Sequence, residues 1–292
     1  MTKTDATDRL LGHNGPVNAT VANRLPIGVF DSGVGGLTVL KALREQLPNE
    51  DLVYLGDTAR LPYGTKSALS ISRYACQATA QLQQRGIKLL VVACNTASAV
   101  ALGDLSEQMR PLPVIGVIAP GAAAAVAARP GGPHLVLATE ATVRLGAYRQ
   151  AIAALDASAK VRELACELLV SLAEEGWTSG PIATAIVRRY LDSLDERGDG
   201  AGSIILGCTH FPLLHDTIAA VADDRAVIVD SASTTARYAQ EVLGRLSLAA
   251  DQSSPGSTQY LATDNAARFA RVGRLFLGND QLSAEDITIV DL

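Results

Sequence analysis

The sequence has few cysteines, few aromatic residues and no long apolar run, and each absence excludes a class of protein. Its 292 residues include four widely spaced cysteines, with no CxxC pair and no Cys/His cluster of metal-binding spacing. We therefore expect neither a disulfide framework nor a metal site, and reduced thiols in the cytoplasm are the simplest interpretation. No apolar run approaches the ~20 residues of a membrane span.

The chain also lacks an excess of positive charge. Its formal net charge is −5, so we expect neither nucleic acid nor an anionic membrane as a partner. The hydrophobic fraction of 48% is ample for a core and consists mainly of Ala, Val, Leu and Ile. Residues 1–25 mix acids and bases without an uninterrupted apolar segment, which predicts a flexible N-terminal extension and not a signal peptide.

Short apolar strands alternate with helices along most of the chain. The first strand and helix lie in "PIGVFDSGVGGLTVLKALREQLP", and "IKLLVVAC" and "SIILGC" are typical of parallel strands buried on both faces. Seven or eight strands are predicted, with "STQYLAT" as the last candidate. This alternation predicts an α/β fold with helices on both faces of parallel strands, in one sheet or in two smaller ones.

Ligands of open parallel sheets bind outside the carboxyl ends of the strands. The residues that directly follow the predicted strands are therefore the candidates for a site. Most polar chemistry of the chain is concentrated at these positions, which are Asp31, Ser32, Asp57, Tyr63, Gly64, Cys94, Asn95, Thr96, Thr139, Cys208, Thr209, His210, Asp230 and Ser231.

Two of the cysteines share one local pattern. Cys94 ends a strand in "VVACNTASAV", Cys208 ends another in "IILGCTHFPLL", and each precedes a segment expected to open a helix. A helix N-terminus lowers a thiol pKa from its ordinary value of about 8.5 and makes the sulfur a usable base or nucleophile. A small buried core residue is the alternative for each cysteine, but the repeated pattern favours two halves of one site. Asp31 is a candidate to orient a thiol, and His210 lies two residues after Cys208.

Neither glycine cluster matches a nucleotide-binding motif. "SGVGG" (32–36) lacks the third glycine of the dinucleotide fingerprint, and "GTKS" (64–67) lacks a glycine directly before its lysine. Both are typical of a backbone that approaches a small anionic ligand, such as the carboxylate of an amino acid.

The ordered set "VFDSGVGGLTVL", "YLGDTARLPYG", "VVACNTASAVAL", "LATEATVRLGAY" and "ILGCTHFPLL" resembles the glutamate racemases of bacterial cell-wall synthesis, within the aspartate/glutamate racemase family. The resemblance implies two pseudo-symmetric α/β lobes with the active site in the cleft between them. It assigns residues 26–117 and 229–292 to one lobe and 118–228 to the other. It also implies a cofactor-independent isomerase that makes D-glutamate for peptidoglycan.

The resemblance implies a role for each candidate residue. Cys94 and Cys208 would be the two acid–base groups, assisted by Asp31 and His210 respectively, with Glu174 as a helper near His210. Neither a metal nor a cofactor is expected, and glutamate and a second copy in a homodimer are the expected partners. The groups that would hold the substrate are Asp31, Ser32, Tyr63, Gly64, Asn95, Thr96, Thr139, Thr209 and His210.

Three positions depart from the family pattern, and other functions stay open. The departures are Ala119, where a glutamate is frequent, Leu145, where a serine is common, and Glu167, where a proline is usual.

Another amino-acid racemase, such as one for aspartate, is the first alternative. A cysteine hydrolase or amidase would need only Cys208 and His210, and an amino-acid-binding protein could share the fold. A pyridoxal phosphate enzyme is disfavoured because no lysine has an obvious Schiff-base context.

Overall fold

The fold consists of two parallel β-sheets flanked by helices. The computed structural model describes residues 23–195, 201–222, 226–278 and 280–292. One sheet has six strands in the order β10-β9-β2-β1-β3-β4, and the other has four in the order β6-β5-β7-β8. Every strand pairing of the described residues is parallel. The predicted α/β class with two parallel-sheet lobes is confirmed, and we name the lobes by their six-stranded and four-stranded sheets.

The elements alternate as predicted. The strands are β1 Ile27–Asp31, β2 Leu52–Gly56, β3 Leu89–Val92, β4 Val114–Gly116, β5 His134–Ala138, β6 Val161–Ala165, β7 Ser203–Gly207, β8 Val227–Asp230, β9 Thr258–Ala262 and β10 Ile287–Ile289. The helices are α1 Leu37–Gln46, α2 Ala68–Gln84, α3 Asn95–Gln108, α4 Ile118–Ala128, α5 Glu140–Leu145, α6 Ala147–Leu155, α7 Glu167–Glu174, α8 Gly180–Asp195, α9 His215–Ala222, α10 Ser231–Arg245 and α11 Ala266–Leu277.

The two lobes repeat one topology. Four strands of the larger sheet follow the order β2-β1-β3-β4, and the smaller sheet follows β6-β5-β7-β8. Val92 of β3 pairs with Phe30, and Leu206 of β7 pairs with Leu137. Cys94 and Cys208 each lie two residues beyond these pairs, so the two thiols occupy equivalent positions at the carboxyl ends of equivalent strands.

Two features differ from the sequence expectation. The described residues form ten strands where seven or eight were predicted, and the three-residue strand β10 was not foreseen because so short an apolar segment carries no periodicity. The expected lobe boundary between residues 228 and 229 falls inside β8, all of which belongs to the four-stranded sheet. The lobe division remains a prediction, and sheet membership moves its second boundary to after Asp230. Apart from residues 23–25, the predicted N-terminal extension lies outside the described residues.

Local signals in the sequence set the bounds of individual helices. Ser67 caps α2, because its hydroxyl accepts a hydrogen bond from the Ser70 N–H, and Gly86 follows the helix at a positive φ of 70°. Gly146, at φ 60°, separates α5 from α6. Among the helices of the described ranges, none has the length and apolar character that a membrane crossing requires.

A buried ion pair lies at the amino ends of the strands of the larger sheet, opposite the ends that carry the thiols. Lys88 and Glu50 are 3% and 2% exposed, and the ammonium lies 2.5 Å from Glu50 Oε2. The ammonium also donates to the carbonyl of Asn23, and Glu50 Oε1 accepts from the Ala250 N–H. These contacts join the amino ends of β2 and β3 to the segment before β9, so they bear on stability and not on the site.

We predict that Lys88→Met lowers the free energy of unfolding by about 3–5 kcal/mol, because it leaves the Glu50 carboxylate buried without its cation. The double variant Glu50→Gln/Lys88→Met should recover much of that loss, because no buried charge remains. Urea unfolding followed by far-UV circular dichroism measures both. A Lys88→Met midpoint equal to that of the wild type would contradict the expectation.

Candidate active site

Cys94 begins the first half of the candidate site. It is 5% exposed and occupies the N-cap of α3, where its sulfur accepts a hydrogen bond from the Ala97 N–H at 3.3 Å. Its thiol donates to Ser32 Oγ at 3.3 Å. Asp31, at the end of β1, is 1% exposed, and its Oδ2 accepts from the Gly33 N–H at 2.9 Å. The strand end and the glycine-rich turn thus place a carboxylate and a hydroxyl beside the thiol.

The expectation that the helix N-terminus lowers the pKa of Cys94 is wrong for this structure. Burial, reinforced by the charge of Asp31, raises the pKa of the thiol to about 12. The hydrogen bonds from Ser32 and Ala97 lower it but are outweighed. Burial likewise raises the pKa of the Asp31 carboxyl, although His210 opposes the shift. Cys94 is therefore a protonated thiol at neutral pH, suited to donate a proton.

Cys208 lies in a chain of polar contacts on the other lobe. Its sulfur, on a residue 6% exposed, is 3.7 Å from His210 Nδ1. His210 Nε2 is 3.3 Å from Glu174 Oε1, and Glu174 Oε2 accepts from Arg268 Nη2 at 2.8 Å. The segment after Cys208 differs from the expected helix, because a 3₁₀ turn at Phe211–Leu214 precedes α9.

His210 is a cation at neutral pH. Burial alone would lower its pKa, but the hydrogen bonds to Cys208 and Glu174 outweigh burial and raise it to about 10. The pKa of Glu174 is lowered, chiefly by its hydrogen bond to His210. The imidazole ring also packs edge-on against Phe276, with centroids 5.0 Å apart. The imidazolium can donate a hydrogen bond to a thiolate formed at Cys208, because its Nδ1 faces that sulfur.

The glycine-rich turn after β1 packs directly against the Cys208 segment. A Cβ on Gly35 would lie within 2.5 Å of the His210 ring and closer still to Thr209 Oγ1. Thr38, on α1, donates its hydroxyl to the Thr209 carbonyl at 3.0 Å. Glycine is required at position 35 because the side chains of Thr209 and His210 lie too close to leave room for a Cβ.

A second contact between the lobes is formed by threonine hydroxyl groups from both of them. Thr96 Oγ1 lies 2.9 Å from Thr139 Oγ1, and Thr142 Oγ1 is within 3.4 Å of both. Gly64 approaches the same place, since a Cβ there would lie 3.1 Å from Thr139 Cβ. Three of the predicted binding residues are therefore brought together.

Tyr63 departs from its expected role. The residue is 1% exposed, and its hydroxyl donates to Asp57 Oδ2 at 2.5 Å. Arg60 and Thr263 also bind the Asp57 carboxylate. The hydroxyl is thus committed to holding the loop after β2, and Tyr63 can offer a ligand only its backbone.

Asn95, the residue after Cys94, is held from the opposite lobe. Its Oδ1 accepts a hydrogen bond from the Tyr148 hydroxyl at 2.7 Å. Its Nδ2 is buried and has no partner among the described residues. Sequence reasoning missed Tyr148 and Arg268, because both lie on helices of ordinary amphipathic pattern far in sequence from the thiols.

The two thiols are near enough for their charges to interact. The charge of Cys208 contributes to the raised pKa of Cys94, and the charge of His210 acts on Asp31. Both sulfurs are almost inaccessible, so a ligand can reach them only when contacts between the lobes open. In the described ranges no group of three or more His, Cys, Asp or Glu residues is placed to hold a metal ion.

None of the three departures from the expected pattern touches a thiol. Ala119 is exposed in the first turn of α4, and Leu145 is half-buried at the end of α5. The Glu167 carboxylate accepts the N–H of Glu140 at the start of α5. Glu167 therefore serves as a cap beside Thr139, although a proline was expected there.

Residues 27–239 match the family model described as Asp/Glu/Hydantoin racemase. The chain belongs to this racemase family. It is 48% identical over 252 residues to a glutamate racemase of Geobacter metallireducens, which covers 86% of this chain and 92% of that protein. It is 40% identical over 264 residues to a glutamate racemase of Lysinibacillus sphaericus, covering 90% and 98%. This racemase is accordingly an amino-acid isomerase.

Solved structures agree with the family assignment. A Francisella tularensis glutamate racemase in complex with D-glutamate superposes with a TM-score of 0.84 at 34% identity, covering 92% of this chain and 98% of that one. The glutamate racemase isoform RacE1 of Bacillus anthracis gives 0.86 at 35% identity with the same coverage. An aspartate racemase of Picrophilus torridus, at 15% identity, TM-score 0.56 and coverage of 76% and 94%, shares the fold alone.

We predict that Gly35→Ala lowers kcat/KM about 10²-fold, because displacing His210 and Thr209 by a few tenths of an ångström or more misplaces the Cys208 side of the site. Steady-state racemisation kinetics measure the loss. Gly103→Ala on α3 is the control, since a Cβ there meets nothing within 4 Å. Equal activity of the two variants would contradict the assignment of Gly35.

We also predict that Glu174→Gln shifts the alkaline limb of the kcat/KM profile to lower pH. The Glu174 carboxylate helps to raise the pKa of His210 to about 10, so removing its charge lowers that pKa. The imidazolium is then lost at a lower pH as pH rises. Glu175→Gln, at the exposed neighbouring carboxylate, is the control and should leave the limb in place. A Glu174→Gln profile that overlays the wild type would exclude this electrostatic role.

Proposed function

We propose that this chain interconverts L-glutamate and D-glutamate, with Cys94 and Cys208 as two acid–base groups on opposite faces of the substrate Cα. One observation carries the proposal. The two thiols occupy equivalent strand ends of two pseudo-symmetric lobes, and the charge of Cys208 acts on Cys94. A racemase needs two such groups, because a single base that returned its own proton would restore the original enantiomer.

The proton balance of the proposed reaction uses the thiols alone. A thiolate on one side takes the Cα proton, so an S–H bond forms and the electron pair of the broken C–H bond stays on the substrate as a carbanion. The thiol on the other side then gives its proton to the opposite face and becomes a thiolate. Positioned acid–base groups typically contribute about 10²–10⁴-fold each. The reverse direction uses the same two groups with exchanged protonation.

The surroundings of the two thiols differ. Cys94, with a pKa of about 12, is the resting proton donor, and Asp31 and Ser32 lie beside it. The imidazolium of His210 faces Cys208 and is held by Glu174. In this proposal the His210 cation hydrogen-bonds the thiolate that forms at Cys208 during the reaction, because a fixed cation next to the sulfur stabilises its negative charge.

The remaining predicted residues would bind the substrate. Asn95 presents a buried unpaired amide, and the Thr96–Thr139 pair and the backbone of Gly64 converge on the same region. Thr209 and Ser32 flank the two thiols. Glutamate is favoured over aspartate because the similar relatives are glutamate racemases at 40–48% identity, whereas the aspartate racemase of Picrophilus torridus shares only 15%.

The biological setting follows from the same proposal. D-Glutamate made by this chain would serve peptidoglycan synthesis, and a glutamate racemase structure from Escherichia coli was solved with L-glutamate and the activator UDP-MurNAc-Ala. The four cysteines are free thiols in the structure, which supports a cytoplasmic location. Cofactor independence and a homodimer remain predictions.

The decisive test incubates the purified protein, freed of metals and pyridoxal phosphate, with L-glutamate in D₂O. We predict loss of optical activity together with deuterium at Cα, measured by circular dichroism and by NMR. Cys94→Ser and Cys208→Ser should each lower the rate by at least about 10²-fold, because either change removes one of two obligatory proton carriers.

Cys76→Ser and Cys166→Ser are matched controls, because those thiols lie outside the proposed pair. A wild type that leaves glutamate optically unchanged and unlabelled would overturn the substrate assignment, and L-aspartate would be tested in the same assay. Release of ammonia that depends on Cys208 but not on Cys94 would instead favour the hydrolase alternative.

A further inference from the structure

Tyr148 connects the two thiol-bearing segments of the candidate site. It lies on α6 in the four-stranded lobe, is fully buried, and donates its hydroxyl to Asn95 Oδ1 at 2.7 Å. Asn95 is the first residue of α3 and directly follows Cys94. This hydrogen bond therefore crosses from one lobe to the residue next to a thiol in the other.

The aromatic ring of Tyr148 is fixed by two glycines. A Cβ on Gly207 would lie 3.0 Å from Tyr148 Cε2, and one on Gly121 would lie 3.3 Å from Cε1. Gly207 directly precedes Cys208. The ring thus rests against the backbone that carries one thiol, while the hydroxyl holds the residue beside the other.

The hydrogen bond also decides which way the Asn95 amide points. Because Oδ1 accepts from Tyr148, the NH₂ group takes the remaining direction, where Nδ2 is buried without a partner among the described residues. Asn95 is 3% exposed, so water does not readily satisfy this donor. Burial raises the pKa of the Tyr148 hydroxyl, which therefore stays a donor through the physiological range.

We infer that Tyr148 is a positioning residue that orients the Asn95 amide, so that Nδ2 donates a hydrogen bond to the carboxylate of the bound amino acid. The inference rests on the proposed function and adds Tyr148 as a residue that acts on the substrate through Asn95. A buried amide donor without a partner is the kind of group that recognises the carboxylate of an amino-acid substrate.

The test compares Tyr148→Phe, Asn95→Ala and the double variant by steady-state kinetics with L-glutamate. We expect Tyr148→Phe to raise KM about fivefold, as for the loss of one neutral hydrogen bond, with kcat changed less than KM. In the Asn95→Ala background the same change should have no further effect on KM. Tyr190→Phe, which removes a hydroxyl that accepts a hydrogen bond from the Leu168 N–H in α7, is the control.

A second variant tests the donor without touching Tyr148. Asn95→Asp keeps an oxygen that can accept from Tyr148 but replaces Nδ2 with a carboxylate oxygen. We expect KM to rise by at least about tenfold, because a donor is lost and a like charge faces the substrate carboxylate. A glutamate KM unchanged in Asn95→Asp would overturn the inference even if Tyr148→Phe failed to fold.

The outcomes separate this inference from the proposed function. Additive effects of Tyr148→Phe and Asn95→Ala on KM, or a wild-type KM in Tyr148→Phe, would overturn the positioning role while the wild type still racemises glutamate. A wild type that turns over neither glutamate nor aspartate would overturn the proposed function, and the inference with it.

Discussion

The two thiols that we propose as the acid–base pair are buried in this protein, and that burial is the constraint on which the rest of the site depends. A thiolate loses its hydration when it is removed from water, so each sulfur needs polar groups fixed around it. Cys94 accepts a hydrogen bond from the Ala97 N–H and donates its thiol to Ser32 Oγ, whereas Cys208 faces the imidazolium of His210. The two sulfurs therefore have unequal polar partners, although the strands that carry them are equivalent.

Contacts between the lobes keep these groups in place. Thr38 to the Thr209 backbone, Thr96 to Thr139, Tyr148 to Asn95 and Arg268 to Glu174 all cross the cleft. Each is a modest polar interaction of the kind worth about 0.5–1.5 kcal/mol for neutral groups. Together they hold the segments that carry the two thiols against each other.

Some of the site could be predicted from local pattern and some could not. Asp31, Cys94 and Cys208 follow apolar strands directly, and the carboxyl ends of parallel strands are where sites form. Tyr148 and Arg268 carry no such signal, because a tyrosine and an arginine on amphipathic helices are ordinary residues until the helices pack. The pKa of Cys94 was misjudged for a related reason: the helix N-terminus is visible in the sequence, whereas the depth of burial and the nearness of Asp31 are not.

The sequence by itself determined the α/β alternation, the strand ends that carry the thiols and the resemblance to a racemase family, because these depend on periodicity and on short local motifs. Only the tertiary structure decided that the strands divide into two sheets of equivalent topology, that β8 belongs entirely to the smaller one, and that Gly35 contacts the His210 segment. It also decided the charge of His210, which depends on Glu174, a residue 36 positions earlier in the chain. Such contacts arise from tertiary packing within and between the lobes, and no local pattern encodes that arrangement.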